Sequence, residues 1–175
     1  MGKKVNWGII GLGKIANKFA SDLLLSENAI LHGVASQDSD KAKAFSIKYN
    51  SHTYYDAYED LAKDPAIDII YIATPHTFHF ENTIMCLKHG KAVLCEKPLG
   101  MNAHEVKIML KEAASKKLFL MEAMWTRFIP ATEKLLELLN NNAIGEITAV
   151  SADFGFKGDT NPALTKQKEK KVLEI

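Results

Sequence analysis

Short apolar runs alternate with stretches of helical periodicity along most of the chain. Val5–Ile10 is an apolar run stopped by glycine, the pattern of a strand buried on both faces. Apolar residues then recur at helical spacing from Ile15 to Leu25, through Phe19 and Leu23. A second strand, Ile30–Ala35, precedes a helix over Lys41–Tyr49. Asp56 followed by Glu59 has capping-box spacing and predicts a short helix through Ala62. Ile67–Ala73 is the most apolar strand, and it must finish at Thr74-Pro75 because proline cannot donate to a sheet ladder. A helix from about His76 to Lys88 stops at Gly90, and Ala92–Cys95 forms the next strand. Asn102 with Glu105 is a second capping pattern, opening a helix to about Ala114. Leu118–Met121 and Thr132–Asn140 complete the series as strand and helix.

Such alternation predicts parallel strands joined by right-handed helical crossovers, which makes a doubly wound sheet. The pattern changes after Gly145. Across Ile147–Phe156, Ile147, Ala149, Ser151 and Asp153 alternate with Thr148, Val150, Ala152 and Phe154. One polar and one apolar face suit an antiparallel strand. Residues 157–175 offer it no partner strand, and Lys166–Lys171 reads as a solvated charged face. The expected organisation is α/β. A doubly wound parallel sheet occupies 1–125, a linking helix and the first strand of a truncated antiparallel domain occupy 126–156, and an atypical tail occupies 157–175.

Composition narrows the function classes. The 175 residues carry 22 basic and 21 acidic side chains, a net charge of +1, which gives no broad attraction to nucleic acid or anionic membrane. No apolar run approaches membrane-spanning length. The first strand is too short for a secretory signal core, and Asn6 replaces the Ser or Thr of a myristoylation signal. Cys86 and Cys95 lack metal-ligand spacing and lie in apolar stretches, so both are expected as buried free thiols in a reducing compartment. The expected location is cytoplasmic, with no metal.

The first turn carries the strongest chemical signal. Gly11-Leu12-Gly13-Lys14-Ile15-Ala16 follows a strand and opens a helix, the context that a dinucleotide-binding fingerprint requires. Gly11 permits the tight turn, Gly13 lets backbone approach a pyrophosphate, and Ala16 lets the helix pack on the strand. Lys14 and Ile15 contribute free amides at the positive end of the helix dipole. The fold is therefore read as a Rossmann-type domain holding NAD(P). At the end of the second strand, an acidic residue would bind the ribose of NAD. This chain has Ser36-Gln37 there, with Asp38 and Lys41 following. Ser36 and Lys41 favour the 2′-phosphate of NADP, while Asp38 and the absence of an arginine leave NAD open.

Two polar clusters fall where open α/β sheets bind ligands, at the carboxyl ends of strands. They are Thr74-Pro75-His76-Thr77-Phe78-His79 and Glu96-Lys97-Pro98. Glu96 and Lys97 alone would be an ordinary strand-end ion pair, and Pro98 is a candidate for a cis bond. Taken in order with the glycine turn and with Glu122-Ala123-Met124-Trp125-Thr126-Arg127-Phe128, these motifs resemble the Gfo/Idh/MocA oxidoreductases. The last stretch is most similar to the dihydrodiol and xylose dehydrogenase branch.

The resemblance implies hydride transfer between NAD(P) and the CH–OH carbon of a diol or sugar. Lys97 would be the catalytic residue, hydrogen-bonding the reacting oxygen and helping to move its proton, with a cationic nicotinamide nearby lowering its pKa. Thr74, Pro75, His79, Glu96 and Arg127 would line the cofactor, and Trp125 and Phe154 the substrate. Family members are often homo-oligomers. They also continue into a glycine-rich segment with an Asp and a His or Tyr, which nothing in 157–175 matches. The expectation is a chain that binds NADP(H) with little turnover, because hydride transfer needs a closed, dry site. A non-catalytic dinucleotide-binding protein and an inactive truncated product are the competing readings.

Overall fold

The computed structural model describes residues 4–153 and 155. The chain divides into two units that part between Arg127 and Phe128. The first holds six strands, β1 (Val5–Ile10), β2 (Ala29–Ala35), β3 (Thr53–Tyr55), β4 (Ile69–Ile72), β5 (Ala92–Cys95) and β6 (Leu120–Glu122). Five α-helices accompany them, α1 (Lys14–Leu23), α2 (Ser39–Tyr49), α3 (Tyr58–Lys63), α4 (His79–Lys88) and α5 (Ala103–Lys116). All strand pairs are parallel, in the order β3-β2-β1-β4-β5-β6. This is the doubly wound dinucleotide-binding order, which reverses between β1 and β4.

Adjacent strand residues feed opposite faces of the sheet. Ile9 and Tyr71 pack with Ala16, Ala20 and Phe45 under α1 and α2, whereas Ile10, Ile70 and Ile72 pack with Leu61 and Leu87 on the other side. Every residue of β4 is buried, as a strand covered on both faces requires. Cys86 and Cys95 are both buried free thiols within the second of these layers.

Local signals held unevenly. Asn102 caps α5, accepting from the Glu105 amide at 3.0 Å while its own amide donates to the Glu105 carboxylate at 3.1 Å. The Asp56–Glu59 capping pattern is not used: Ala57 occupies the N-cap of α3, and no side chain caps it. That helix is placed by Leu61 and Ala62, which are fully buried, so packing overrides the local motif. Strand β3, absent from the sequence reading, is three residues long at the edge of the sheet.

In the second unit, Pro130 opens helix α6 (Pro130–Asn140), where its missing amide costs nothing. The antiparallel strand expected over 147–156 is a correction. Residues 147–153 form no strand, while 154 and 156 lie outside the described residues. An alternating pattern supplies a face, but a strand also needs a neighbour for its amides and carbonyls. No described segment provides one. No helix among the described residues is long and apolar enough to cross a membrane.

Candidate cofactor and catalytic site

At the point where strand order reverses, the turn after β1 meets the turn after β4. Gly11 adopts φ +81°, and a Cβ there would fall 2.4 Å from the Thr74 amide nitrogen. Its glycine is thus explained by the protein's own backbone. Gly13 differs. A Cβ on it would meet nothing within 4 Å, so protein packing gives no reason for glycine there. Open space at this position is what a ligand phosphate approaching the backbone would use.

The amides of α1 match this geometry. Its first turn has no side-chain cap and no acidic residue, in contrast to α2 and α5, which Asp38 and Asn102 cap. Lys14 and Ile15 are exposed at that end. Uncapped amides and a positive dipole end suit an anion. The residues present therefore fit a dinucleotide pyrophosphate.

At the end of β2, Ser36 is 7% exposed, and its Oγ accepts from the Asp38 amide at 3.2 Å. The Asp38 carboxylate accepts from the Lys41 amide at 3.1 Å, so it serves as the cap of α2. Gln37 and Lys41 are exposed beside it.

The other cluster is built around the turn after β5. The Lys97–Pro98 bond is cis. Glu96 accepts from the Tyr71 hydroxyl at 2.5 Å and from the Lys97 backbone amide at 3.2 Å. Burial, reinforced by the Glu96 carboxylate, pushes the Tyr71 phenol well above the ordinary tyrosine range. Tyr71 in turn stacks on Phe19 of α1, with ring centroids 3.8 Å apart. The strand-end ion pair is not formed: Glu96 faces inward, and the exposed Lys97 ammonium has no partner among the described residues.

His79 is placed differently from the expected cofactor contact. It is 1% exposed, with Nδ1 2.7 Å from the Pro98 carbonyl oxygen and Nε2 2.9 Å from that of Thr74. A side chain enclosed by two protein carbonyls has no ring nitrogen left to present to a ligand. It joins the turn after β4 to the one after β5. Carbonyl oxygens only accept, so a neutral ring donates to one of them and an imidazolium to both.

Asn82 donates to Thr74 Oγ1 at 3.1 Å, and Glu122 accepts from the Leu99 amide at 2.8 Å. Tyr71, Asn82 and Glu122 therefore hold the two turns, although no sequence motif singled out such a role. Their spacing carries no local signal, because Tyr71 and Glu122 act between neighbouring strands and Asn82 reaches back from α4 to a residue eight positions earlier. Pro75 is exposed, as are Trp125 and Arg127 on the turn Trp125–Phe128 after β6. Phe154 lies outside the described residues. The structure thus joins Gly11 to Thr74, and Thr74 to the Pro98 turn through His79. Ser36, Gln37 and Lys41 form a separate group at β2. Among the described residues, no cluster of three or more side chains could hold a metal ion.

Comparison with known proteins identifies the family to which this fold belongs. Residues 5–124 match the Gfo/Idh/MocA family, described as an oxidoreductase family with an NAD-binding Rossmann fold. The mouse (Mus musculus) trans-1,2-dihydrobenzene-1,2-diol dehydrogenase is 46% identical over 155 residues, covering 87% of this chain and 46% of that enzyme. The chain thus spans about half the length of the curated relatives it matches. Among solved structures, myo-inositol 2-dehydrogenase from Lactobacillus plantarum aligns with a TM-score of 0.75 at 29% identity, covering 83% of this chain and 43% of that one. A 3-ketoreductase from Actinomadura kijaniata, crystallised with NADP and TDP-benzene, aligns with a TM-score of 0.76 at 26% identity over 82% of this chain and 44% of that one.

Proposed function

The chain belongs to the Gfo/Idh/MocA oxidoreductases, and on that premise we propose that it holds NADP(H) along the β1–β4 reversal and offers Lys97 for oxidoreduction at a CH–OH group of a diol or sugar. The observation that carries this reading is the pairing of two features at one sheet edge. One is an uncapped α1 terminus beside the open Gly13, and the other is an unpaired Lys97 amine on a turn that His79, Glu96 and Glu122 immobilise. Gly11, Gly13, Lys14 and Ile15 would bind the pyrophosphate, and Thr74, Pro75 and Arg127 would flank the nicotinamide half.

A bound nicotinamide dinucleotide in its oxidised form would supply the hydride acceptor for the alcohol carbon. Lys97 Nζ, as the neutral amine, would accept a hydrogen bond from the reacting hydroxyl and help to move its proton. Glu96 and His79 act on this chemistry through the turn rather than by touching the substrate. Trp125 and Phe154 are proposed as substrate-side residues. NADP is preferred to NAD because Asp38 is committed to capping α2, which leaves Ser36, Gln37 and Lys41 to meet a 2′-phosphate.

Titration of the 175-residue chain with NADPH, read by cofactor fluorescence, tests the binding step. Saturable binding is expected, and its absence removes the reading. Acetylation of lysines followed by mass spectrometry tests the second step. NADP+ should shield Lys97 while leaving Lys107 and Lys111, on α5, reactive. Binding without protection at Lys97 would leave a dinucleotide-binding protein whose lysine has no catalytic role.

A further inference from the structure

We propose that Asn17 is a positioning residue that holds the Gly13 peptide so that the amides opening α1 point outward to the cofactor's pyrophosphate; this rests on the cofactor reading above. The Gly13 carbonyl accepts from the Asn17 amide at 3.2 Å, the ordinary helical bond, and also from Asn17 Nδ2 at 2.8 Å. On its other side, Asn17 Oδ1 accepts from Tyr49 Oη at 2.8 Å and from Lys48 Nζ at 2.9 Å. An ammonium can only donate, so the atom it meets must be the amide oxygen, and the nitrogen then has to face Gly13. Tyr49 Oη also lies 3.1 Å from the Asn17 carbonyl, to which it can alternatively donate. Tyr49 is itself fixed, packed in the core against Phe45 with ring centroids 4.6 Å apart.

The consequence follows from peptide geometry. A carbonyl and the next amide share one plane and point in opposite directions, so anchoring the Gly13 oxygen sets the direction of the Lys14 N–H. In most helices a capping side chain restrains the first turn. Here the N-cap is Gly13, which has no side chain, and a conventional cap would occupy the amides a phosphate needs. Asn17 restrains the same turn from inside the helix and leaves those amides free. The restraint originates at the carboxyl end of α2, whose amino end carries Ser36, Asp38 and Lys41 nearby in sequence. One helix therefore relates the ribose end of the site to its pyrophosphate end.

The test compares wild type, Asn17→Ala and Tyr49→Phe in the full chain. Affinities for NADPH and for adenosine 2′-monophosphate, which lacks the pyrophosphate, are measured beside the thermal midpoint. Asn17→Ala should weaken NADPH roughly three- to tenfold, the worth of one hydrogen bond, while adenosine 2′-monophosphate binds as before. Tyr49→Phe should move NADPH in the same direction by about twofold, since Lys48 still holds the amide. Equal NADPH affinity in all three proteins overturns the proposal. So does a parallel fall for both ligands that tracks the thermal midpoint, which would mark a purely structural residue. If Asn17→Ala does not fold, the Tyr49→Phe comparison decides by the same criteria. Failure of the wild type to bind NADPH would overturn the cofactor reading itself, an outcome distinct from the others.

Discussion

Lys97 is an exposed amine on a turn that is otherwise fastened on every side. Its own amide is held by Glu96, the next carbonyl faces His79, and the Leu99 amide is held by Glu122. Freedom at the ammonium and rigidity in the backbone beneath it are what a proton-handling group requires. His79 is the residue on which this arrangement most depends. Replacing it with alanine removes the ring N–H from at least one of these carbonyl oxygens, at about 1–3 kcal/mol if water does not enter. His79→Ala is expected to lower the thermal midpoint by several degrees and to weaken NADPH binding; an unchanged midpoint would show that the ring bridges nothing of consequence.

Elements separate the two ends of the sheet by task. At the carboxyl end, α2 presents Lys41 on its first turn, exposed beside Ser36. Lys41→Ala should reduce affinity for NADPH severalfold and leave NADH affinity unchanged, because only NADPH carries the second phosphate. A matched loss for both would remove Lys41 from cofactor selection. The amino end is a structural network centred on Asp64, which precedes β4. Its carboxylate accepts from Tyr55 Oη at 2.8 Å and the Ala66 amide at 2.9 Å, and lies 3.3 Å from His32 Nε2. Burial alone would raise this carboxyl, but those hydrogen bonds, with His32 and Lys91 nearby, outweigh burial and hold it below the usual range. A carboxyl depressed on folding contributes stability above its unfolded value, near 4, and loses it as pH falls through the folded one. Asp64→Asn should therefore be less stable than wild type at neutral pH. The gap should close in acid-denaturation curves below about pH 4; a constant gap would contradict the account.

Across the molecule, the doubly wound sheet encloses both thiols where no ligand reaches. Burial pushes Cys86 and Cys95 each up to about 12. Acids that ionise late in the folded state stabilise it fully below their unfolded value, and that contribution is lost as pH rises through the folded one. Stability should accordingly decline between about pH 9 and 12. At neutral pH a thiol reagent should label neither cysteine in the native protein and both after denaturation. Rapid labelling of the folded chain would mean that the layer between sheet and α4 opens readily.

The sequence by itself determined the elements whose signals are local. Apolar runs marked β1 and β5 to the residue, Asn102 and Glu105 marked the start of α5, and the glycine turn marked the bend from β1 into α1. Each depends on neighbours within a few positions, where side-chain size and backbone freedom act directly. Tertiary structure alone decided the rest. Strand β3 exists because β2 offers it a ladder, whereas 147–153 has a strand's alternation and no partner. His79 turned out to be enclosed and Glu96 to face Tyr71, because the polar atoms that claim them lie on other strands and turns. Hydrogen bonds between distant segments leave no periodicity in a sequence, since the chain must close before the partners meet.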